Sequence, residues 1–170
     1  MTISLFTFVD QYGRVLHTAA HLLDKGAEFA AQQGLDADEI LDWRLVDDMH
    51  PLRFQLGVVC TFTRSWLARA ADLPLPEALG DTLDVDGFRQ AIAEARDAIG
   101  RLRPEQFAGR DEVPLKVSLA GGQMEPTLPV EQWLAGFATM NVYFHLSMAY
   151  AILRARGVAI GKIDLFPGGL

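Results

Sequence analysis

The chain has 170 residues, of which 50% are hydrophobic and 22% are charged, and its formal net charge is -7 at pH 7. A chain of this length buries roughly 70% of the surface that its unfolded form exposes, so one folded domain over residues 1–170 is expected and a disordered chain is excluded. The acidic balance, without a cluster of lysine or arginine, also excludes nucleic acid as a partner, because phosphate contacts need concentrated positive charge.

Cysteine use and the N-terminal residues indicate the compartment. Cys60 is the single cysteine and has apolar neighbours, so we expect a small buried side chain rather than a disulfide or a reactive thiol. The first residues carry no basic leader, and Asp10 interrupts their apolar run. We therefore expect no signal peptide and a cytoplasmic protein.

Apolar residues recur every three or four positions in the first part of the chain, which predicts a long helix from Ser4 to Gln33. Gly34 follows and is typical of the position just after a helix. A short helical turn is expected over residues 36–42.

Two further helices are predicted before the middle of the chain. The second starts with Pro51 in its first turn and Asp48 as candidate cap, and it ends at the breaker that begins with Pro74. The third is predicted over Val85–Leu102, with Asp84 as its cap.

Over residues 115–119 apolar and polar side chains alternate strictly, which is typical of a strand. Residues 120–122, Ala-Gly-Gly, favour a turn, so a small hairpin is predicted. The fourth helix follows Pro129 and ends at Gly157, leaving an irregular tail. Four amphipathic helices, with one hairpin between the third and the fourth, describe an all-α four-helix bundle.

The fourth helix contains an uncharged run from Gln132 to Leu153 that is long enough to cross a bilayer. Polar side chains are costly at the middle of a membrane, and Asn141 and His145 fall there. The other helices have the amphipathic pattern of a water-soluble protein. We therefore interpret this run as a buried helix and expect no membrane partner.

His145 is the leading candidate for chemistry, because an imidazole inside an apolar helix needs a hydrogen-bond partner, a metal ion or a proton to share. As a structural residue it would donate from one ring nitrogen to a backbone carbonyl or to a carboxylate such as that of Asp48 and fill a polar niche between helices, and as a functional residue it would be a metal ligand or a general acid-base group. The carboxylate of Asp48 is the expected partner, and the two form the candidate catalytic pair. The pocket beside them is expected to be lined by Gln55, Asn141 and Tyr143.

The remaining histidines favour structural roles. His17 and His21 are four residues apart, which places both rings on one helix face and matches a metal half-site. Because they flank the apolar stripe, a solvated or half-buried edge is expected instead. His50 sits beside two aspartates at a helix start and is also expected to be structural.

Short motifs along the chain are similar to those of one bacterial family. They are Arg44-Leu45, Asp48-Met49, Pro51-Leu52, Gln55, segments 141–145 and 149–154, Gly157 and Gly161-Lys162. With these motifs the chain resembles, over essentially its whole length, the family known as domain of unknown function 1993. That family is placed in the DinB-like (YfiT-like) superfamily of four-helix bundles, whose better-known members hold nickel or zinc with three histidines and act as thiol-dependent transferases or isomerases.

The chain departs from the metal-binding members of that superfamily. Their last helix carries two histidines four residues apart before a Leu-Arg-x-x-Gly ending, which here spans residues 153–157. In this register Asn141 occupies the first position and only His145 matches a ligand. The second helix, where the third ligand is expected, offers Gln55, Thr61 and Thr63 but no histidine after His50. Since amide oxygen is a poor ligand for a borderline-soft ion, we expect a degraded site and no cofactor, the alternative being zinc or nickel held by His145.

Two functions remain open. The first is a cytoplasmic helical-bundle protein that has lost its metal and keeps a binding or stress-associated role, with a small molecule as its ligand. The alternative is a metal- or thiol-dependent small-molecule transferase or isomerase that uses His145. In either case the surplus apolar residues on the fourth helix, in the row that includes Met140 and Phe144, predict a homodimer interface.

Overall fold

The computed structural model describes residues 4–80 and 82–167. The frame consists of long helices, namely α1 (Thr7–Gln33), α2 (Leu52–Ala70), α3 (Val85–Gly100) and α4, which runs through Val130–Gln132, Trp133–Ala138 and Thr139–Ala155. Short 3-10 turns connect them at Ala37–Asp42, Pro104–Phe107, Ala120–Gly122 and Lys162–Leu165. The predicted helical bundle with a small hairpin before the last helix is confirmed.

The helix ends are set by local chemistry. Gly34 ends α1 in the left-handed region (φ 71°, ψ 22°), where its N–H bonds the carbonyls of the last turn. Asp84 caps α3 by accepting a hydrogen bond of 2.7 Å from the backbone N–H of Gly87. Both were predicted. The start of α2 differs from the prediction, because Pro51 is an extended residue just before the helix and Asp48 does not cap it.

The hairpin consists of the antiparallel strands β1 (Pro114–Lys116) and β2 (Thr127–Pro129), closed by a bridge between Leu119 and Met124. The turn between them needs glycine, since Gly121 and Gly122 both have positive φ. The indole N–H of Trp133 donates to the carbonyl of Leu115 at 2.8 Å. This bond fastens the hairpin to the start of α4.

The four helices pack around one cluster of buried apolar side chains. α1 packs mainly on α3, and α2 mainly on α4, while α1 also contacts α2 and α4. Near the hairpin the core is aromatic, with the rings of Trp66 and Trp133 stacked at 5.4 Å. Polar side chains on the facing sides of α2 and α4 can therefore contact each other.

Residues Trp133–Ala138 of α4 form a π-helical turn, which the sequence analysis did not predict. Thr139 stabilises it, because its hydroxyl donates to the carbonyl of Leu134, five residues earlier, at 2.7 Å. The same hydroxyl lies 3.1 Å from the hydroxyl of Tyr12 on α1.

In the part of the chain that the structure describes, no helix combines the length and the apolarity that crossing a membrane requires.

The chain after α4 folds back onto α1. A ring nitrogen of His21 lies 2.7 Å from a carboxylate oxygen of Asp164, and the hydroxyl of Thr18 donates to the carbonyl of Leu165 at 3.1 Å. The other carboxylate oxygen of Asp164 accepts from the N–H of Gly161 at 2.7 Å. This Gly161 bond, followed by the His21 bond, holds the pKa of Asp164 below its ordinary value.

Candidate functional site

His145 lies in the middle of α4 and reaches across to α2. Its Nδ1 atom is 2.7 Å from the side-chain oxygen of Gln55, which is only 3% exposed. The amide nitrogen of Gln55 donates to the backbone carbonyl of His50 at 2.9 Å. Because a carbonyl can only accept, this second bond fixes the orientation of the Gln55 amide. The amide oxygen of Gln55 must therefore face His145.

The fixed amide decides the protonation of the His145 ring. An amide oxygen accepts hydrogen bonds and donates none, so Nδ1 of His145 carries the proton. In the neutral ring the lone pair then lies on Nε2. Burial lowers the pKa of His145, and the nearby charge of His50 lowers this pKa further. Near neutral pH the site therefore offers an unprotonated imidazole nitrogen.

Aromatic rings surround this imidazole. Phe54 meets the His145 ring edge-on at 5.8 Å, and Phe144 does so at 5.1 Å. On its other side Phe54 stacks on the ring of His50 at 3.9 Å. Phe54 and Phe144 are 39% and 54% exposed, so solvent reaches this corner of the molecule. We call the set of His145, Gln55, Phe54, Phe144 and His50 the histidine corner.

Asp48, the predicted partner of His145, lies outside the histidine corner. It is exposed, in the turn before α2, and within residues 4–80 and 82–167 no hydrogen bond or ion pair joins it to His145. The turn is held by Arg44, which donates to the carbonyl of Met49 at 2.5 Å. The side chain that bonds the His145 imidazole is therefore the amide of Gln55 on α2, where a carboxylate was predicted.

The other predicted lining residues divide between two faces of α4. Asn141 lies one turn before His145, and its amide nitrogen donates to the carbonyl of Phe137 at 2.8 Å. Tyr143 faces α1 instead, where its hydroxyl accepts from the amide of Gln11 at 3.3 Å. Asn141 can thus border the histidine corner, whereas Tyr143 does not.

The histidines on α1 are held apart from the histidine corner. His21 bonds Asp164 in the returning tail, as described above. His17 lines a depression between α1 and α3, together with Arg14 and Arg96. Both rings are half-buried, which agrees with the expected edge position.

Cys60 has the inert character predicted for it. The side chain is fully buried, and burial raises the pKa of its thiol to about 12. A thiolate from this residue is therefore not accessible to a ligand.

Comparisons with known proteins agree with this architecture. The sequence matches the model of the family described as "Domain of unknown function (DUF1993)" over residues 6–166. The chain belongs to the DUF1993 family. It is also similar to a solved structure of a DinB family member from Shewanella denitrificans, with 28% sequence identity, a TM-score of 0.81, and coverage of 95% of this chain and 90% of that chain. No match was found among the curated proteins.

Membership in DUF1993 and the DinB-like fold confirm the predicted family and architecture. The side chains near His145 can now be compared with the ligands that a nickel or zinc ion needs. Within the described residues no three metal-ligating side chains come together. Nε2 of His145 is one suitable nitrogen. The oxygen of Gln55 already accepts the Nδ1 proton of His145, and Asn141 offers only an amide oxygen, which suits nickel or zinc poorly. These residues do not fit a three-histidine centre.

Proposed function

We propose that this DUF1993 protein binds a small organic molecule at the histidine corner, with Nε2 of His145 as the hydrogen-bond acceptor for a donor group on that molecule. The exposed rings of Phe54 and Phe144 would cover the apolar part of the ligand. We also propose that the protein is cytoplasmic and that it has the binding or stress-associated role expected from the sequence. The proposed site has no resident metal.

One observation carries this proposal, namely the pair of hydrogen bonds that joins His50, Gln55 and His145. A buried amide that is bonded at both ends holds the imidazole in one tautomer and one orientation. Such support is typical of side chains that must present an atom in a defined direction. The ligand class that follows is a neutral molecule with an O–H or N–H group.

A second candidate function, catalysis, is favoured by the low pKa of His145. An unprotonated Nε2 in an aromatic setting can remove a proton from a bound substrate, as a transferase or isomerase requires. If the reaction uses a thiol, the substrate must supply it, because Cys60 is buried. His145 would be the general base in this case.

The metal-free part of the proposal is tested by elemental analysis of protein purified without a histidine tag or chelator. We expect far less than one equivalent of nickel or zinc. Asn141→His restores a second imidazole one turn from His145 and should raise zinc affinity. Stoichiometric metal that resists a chelator in the unaltered protein would contradict the proposal.

The ligand-binding part is tested by a fragment screen that is read out on the imidazole nitrogens by NMR. We expect fragments with O–H or N–H donors to shift the Nε2 signal of His145 and to lose affinity in His145→Gln. His17→Gln, which removes a half-buried imidazole on α1, is the matched control and should have no effect. Binding that is equally strong in both variants would show that His145 is not the acceptor.

A further inference from the structure

A cleft separate from the Nε2 face of His145 opens on the outer side of α2. Its volume is about 400 Å³, and its walls come from α2, from residues 78–80 and from Phe88 on α3. This volume lies within the range of small-molecule sites, roughly 300–1,000 Å³. We call it the α2 cleft. It shares only the rings of His50 and Phe54 with the histidine corner.

Gly57 lines the α2 cleft and puts no side chain into it. A Cβ atom built on Gly57 would meet nothing within 4 Å. Glycine in the middle of a helix lowers its stability by roughly 1 kcal/mol relative to alanine, so this open space comes with a stability cost. Gly57 forms the floor of the cleft.

The two ends of the α2 cleft differ in polarity. His50 and Arg53 lie at the end where α2 begins, and Val58 and Phe62 lie further along the helix. Residues 53 and 62 are nine positions apart on the helix, which corresponds to about 13 Å at the rise of an α-helix. The N-terminus of α2 adds partial positive charge at the polar end. The shape and charge suit an elongated molecule with an acidic head and an apolar body.

Arg53 is held in place for such a head. Its Nε atom donates to the carboxylate of Asp42 at 2.8 Å, and its Nη1 atom donates to the carbonyl of Leu83 at 3.3 Å. Asp42 is 73% exposed, so water screens its charge. Among the residues that the structure describes, the Nη2 atom of Arg53 has no hydrogen-bond partner. These two bonds orient the guanidinium at the polar end of the cleft.

We propose that the α2 cleft binds a small monocarboxylate with an apolar aryl or alkyl body. The carboxylate lies against Arg53 and His50, where charge-assisted hydrogen bonds can form. The body lies over Gly57 and reaches toward Phe62. This site does not require the hydrogen bond to His145, although it shares His50 and Phe54 with the histidine corner.

The test uses 4-phenylbutyrate as the probe, titrated into the full chain and followed by backbone amide NMR. We expect saturable shifts centred on residues 53–62. Gly57→Leu places a side chain in the cleft from a position where its Cβ meets nothing within 4 Å, and it should weaken binding by about tenfold or more. Gly13→Leu on α1 is the matched control, because its Cβ also meets nothing within 4 Å and it lies outside the α2 cleft. It should leave the affinity unchanged.

Charge recognition is tested with the neutral 4-phenylbutyramide and with two variants of Arg53. Arg53→Gln should weaken 4-phenylbutyrate binding about fivefold and leave the amide unaffected, and Arg53→Lys should recover only part of the loss, because lysine keeps the charge but not the two bonds that orient the guanidinium. His145→Gln should not change binding, which separates this site from the histidine corner.

The proposal is overturned if 4-phenylbutyrate shows no saturable binding up to about 10 mM. Equal affinity for acid and amide, or an unaffected Gly57→Leu variant, would overturn it as well.

Discussion

His145 on α4 donates its Nδ1 proton to the side-chain oxygen of Gln55 on α2, 90 positions away in the chain, across 2.7 Å. The bond joins the middle of one helix to the first turns of another. It also leaves Nε2 as the ring atom that a ligand can use. The pairing of these two residues is therefore the first relationship to probe by substitution.

Gln55→Glu should raise the pKa of His145 by about 1, because a carboxylate in place of the amide oxygen stabilises the charged imidazolium. The pKa can be followed by NMR titration of the imidazole signals. Gln11→Glu is the matched control, since Gln11 contacts α4 at Tyr143 and away from His145. An unchanged pKa in Gln55→Glu would show that the two side chains do not interact.

Stability should depend on pH through His145. Its pKa is lower in the folded state than in the unfolded chain, so between the two values the unfolded chain binds more protons and stability falls as pH falls. Urea unfolding at pH 7.5 and at 5.5, about one unit either side of the ordinary histidine pKa, should show a larger loss for the unaltered protein than for His145→Gln. A smaller loss in the unaltered protein would reverse the sign and contradict a lowered pKa.

Asp164→Ala should release the tail from α1, because it removes the bonds to both His21 and Gly161. We expect a decrease of about 1 kcal/mol in the free energy of unfolding, together with faster proteolysis after α4. Asp10→Ala removes the exposed pair with Arg14 and is the control. If the two variants are equally stable and equally resistant to protease, the tail contacts do not contribute.

We expect a homodimer through the outer face of α4. Met140 and Tyr143 are 70% and 43% exposed, and twofold self-association is the commonest way to bury apolar surface of this kind. Light scattering at micromolar concentration should give about twice the chain mass of 18.7 kDa. Met140→Glu should shift the mass toward the monomer, and Met124→Glu on the hairpin should not. A mass near 18.7 kDa for the unaltered protein would rule the dimer out.

Much of the fold could be predicted from apolar spacing, because each long helix buries one stripe. On α3 the apolar residues that recur every three or four positions are all buried, namely Phe88, Ile92, Ala95 and Ile99. The start of α2 could not be predicted in this way. Its turn depends on the N–H of Leu52 donating to the carbonyl of Trp43, a contact between segments that has no local signal.

The candidate site could be predicted in part. His145 is recognisable as a polar residue on an apolar helix. Gln55 lies on the same stripe of α2 as Leu52, Leu56 and Val59, so it too is a polar interruption of a buried face. Two such interruptions on packed helices can satisfy each other. Asp48 does not supply the partner, because an ionised side chain near a helix start is most stable in water.

The π-helical turn absorbs one extra residue within α4. Its hydrogen bonds span five residues instead of four, so the turn holds one residue more than an α-helical turn and the helix on either side keeps its phase. Trp133 thus contacts Leu115 and Trp66 while His145 contacts Gln55 from the same helix. Deleting one residue within 133–138 should give a regular α-helix with both sets of contacts in place. A chain without the extra residue would therefore align with this one through a single gap inside the turn, with the positions on both sides still equivalent.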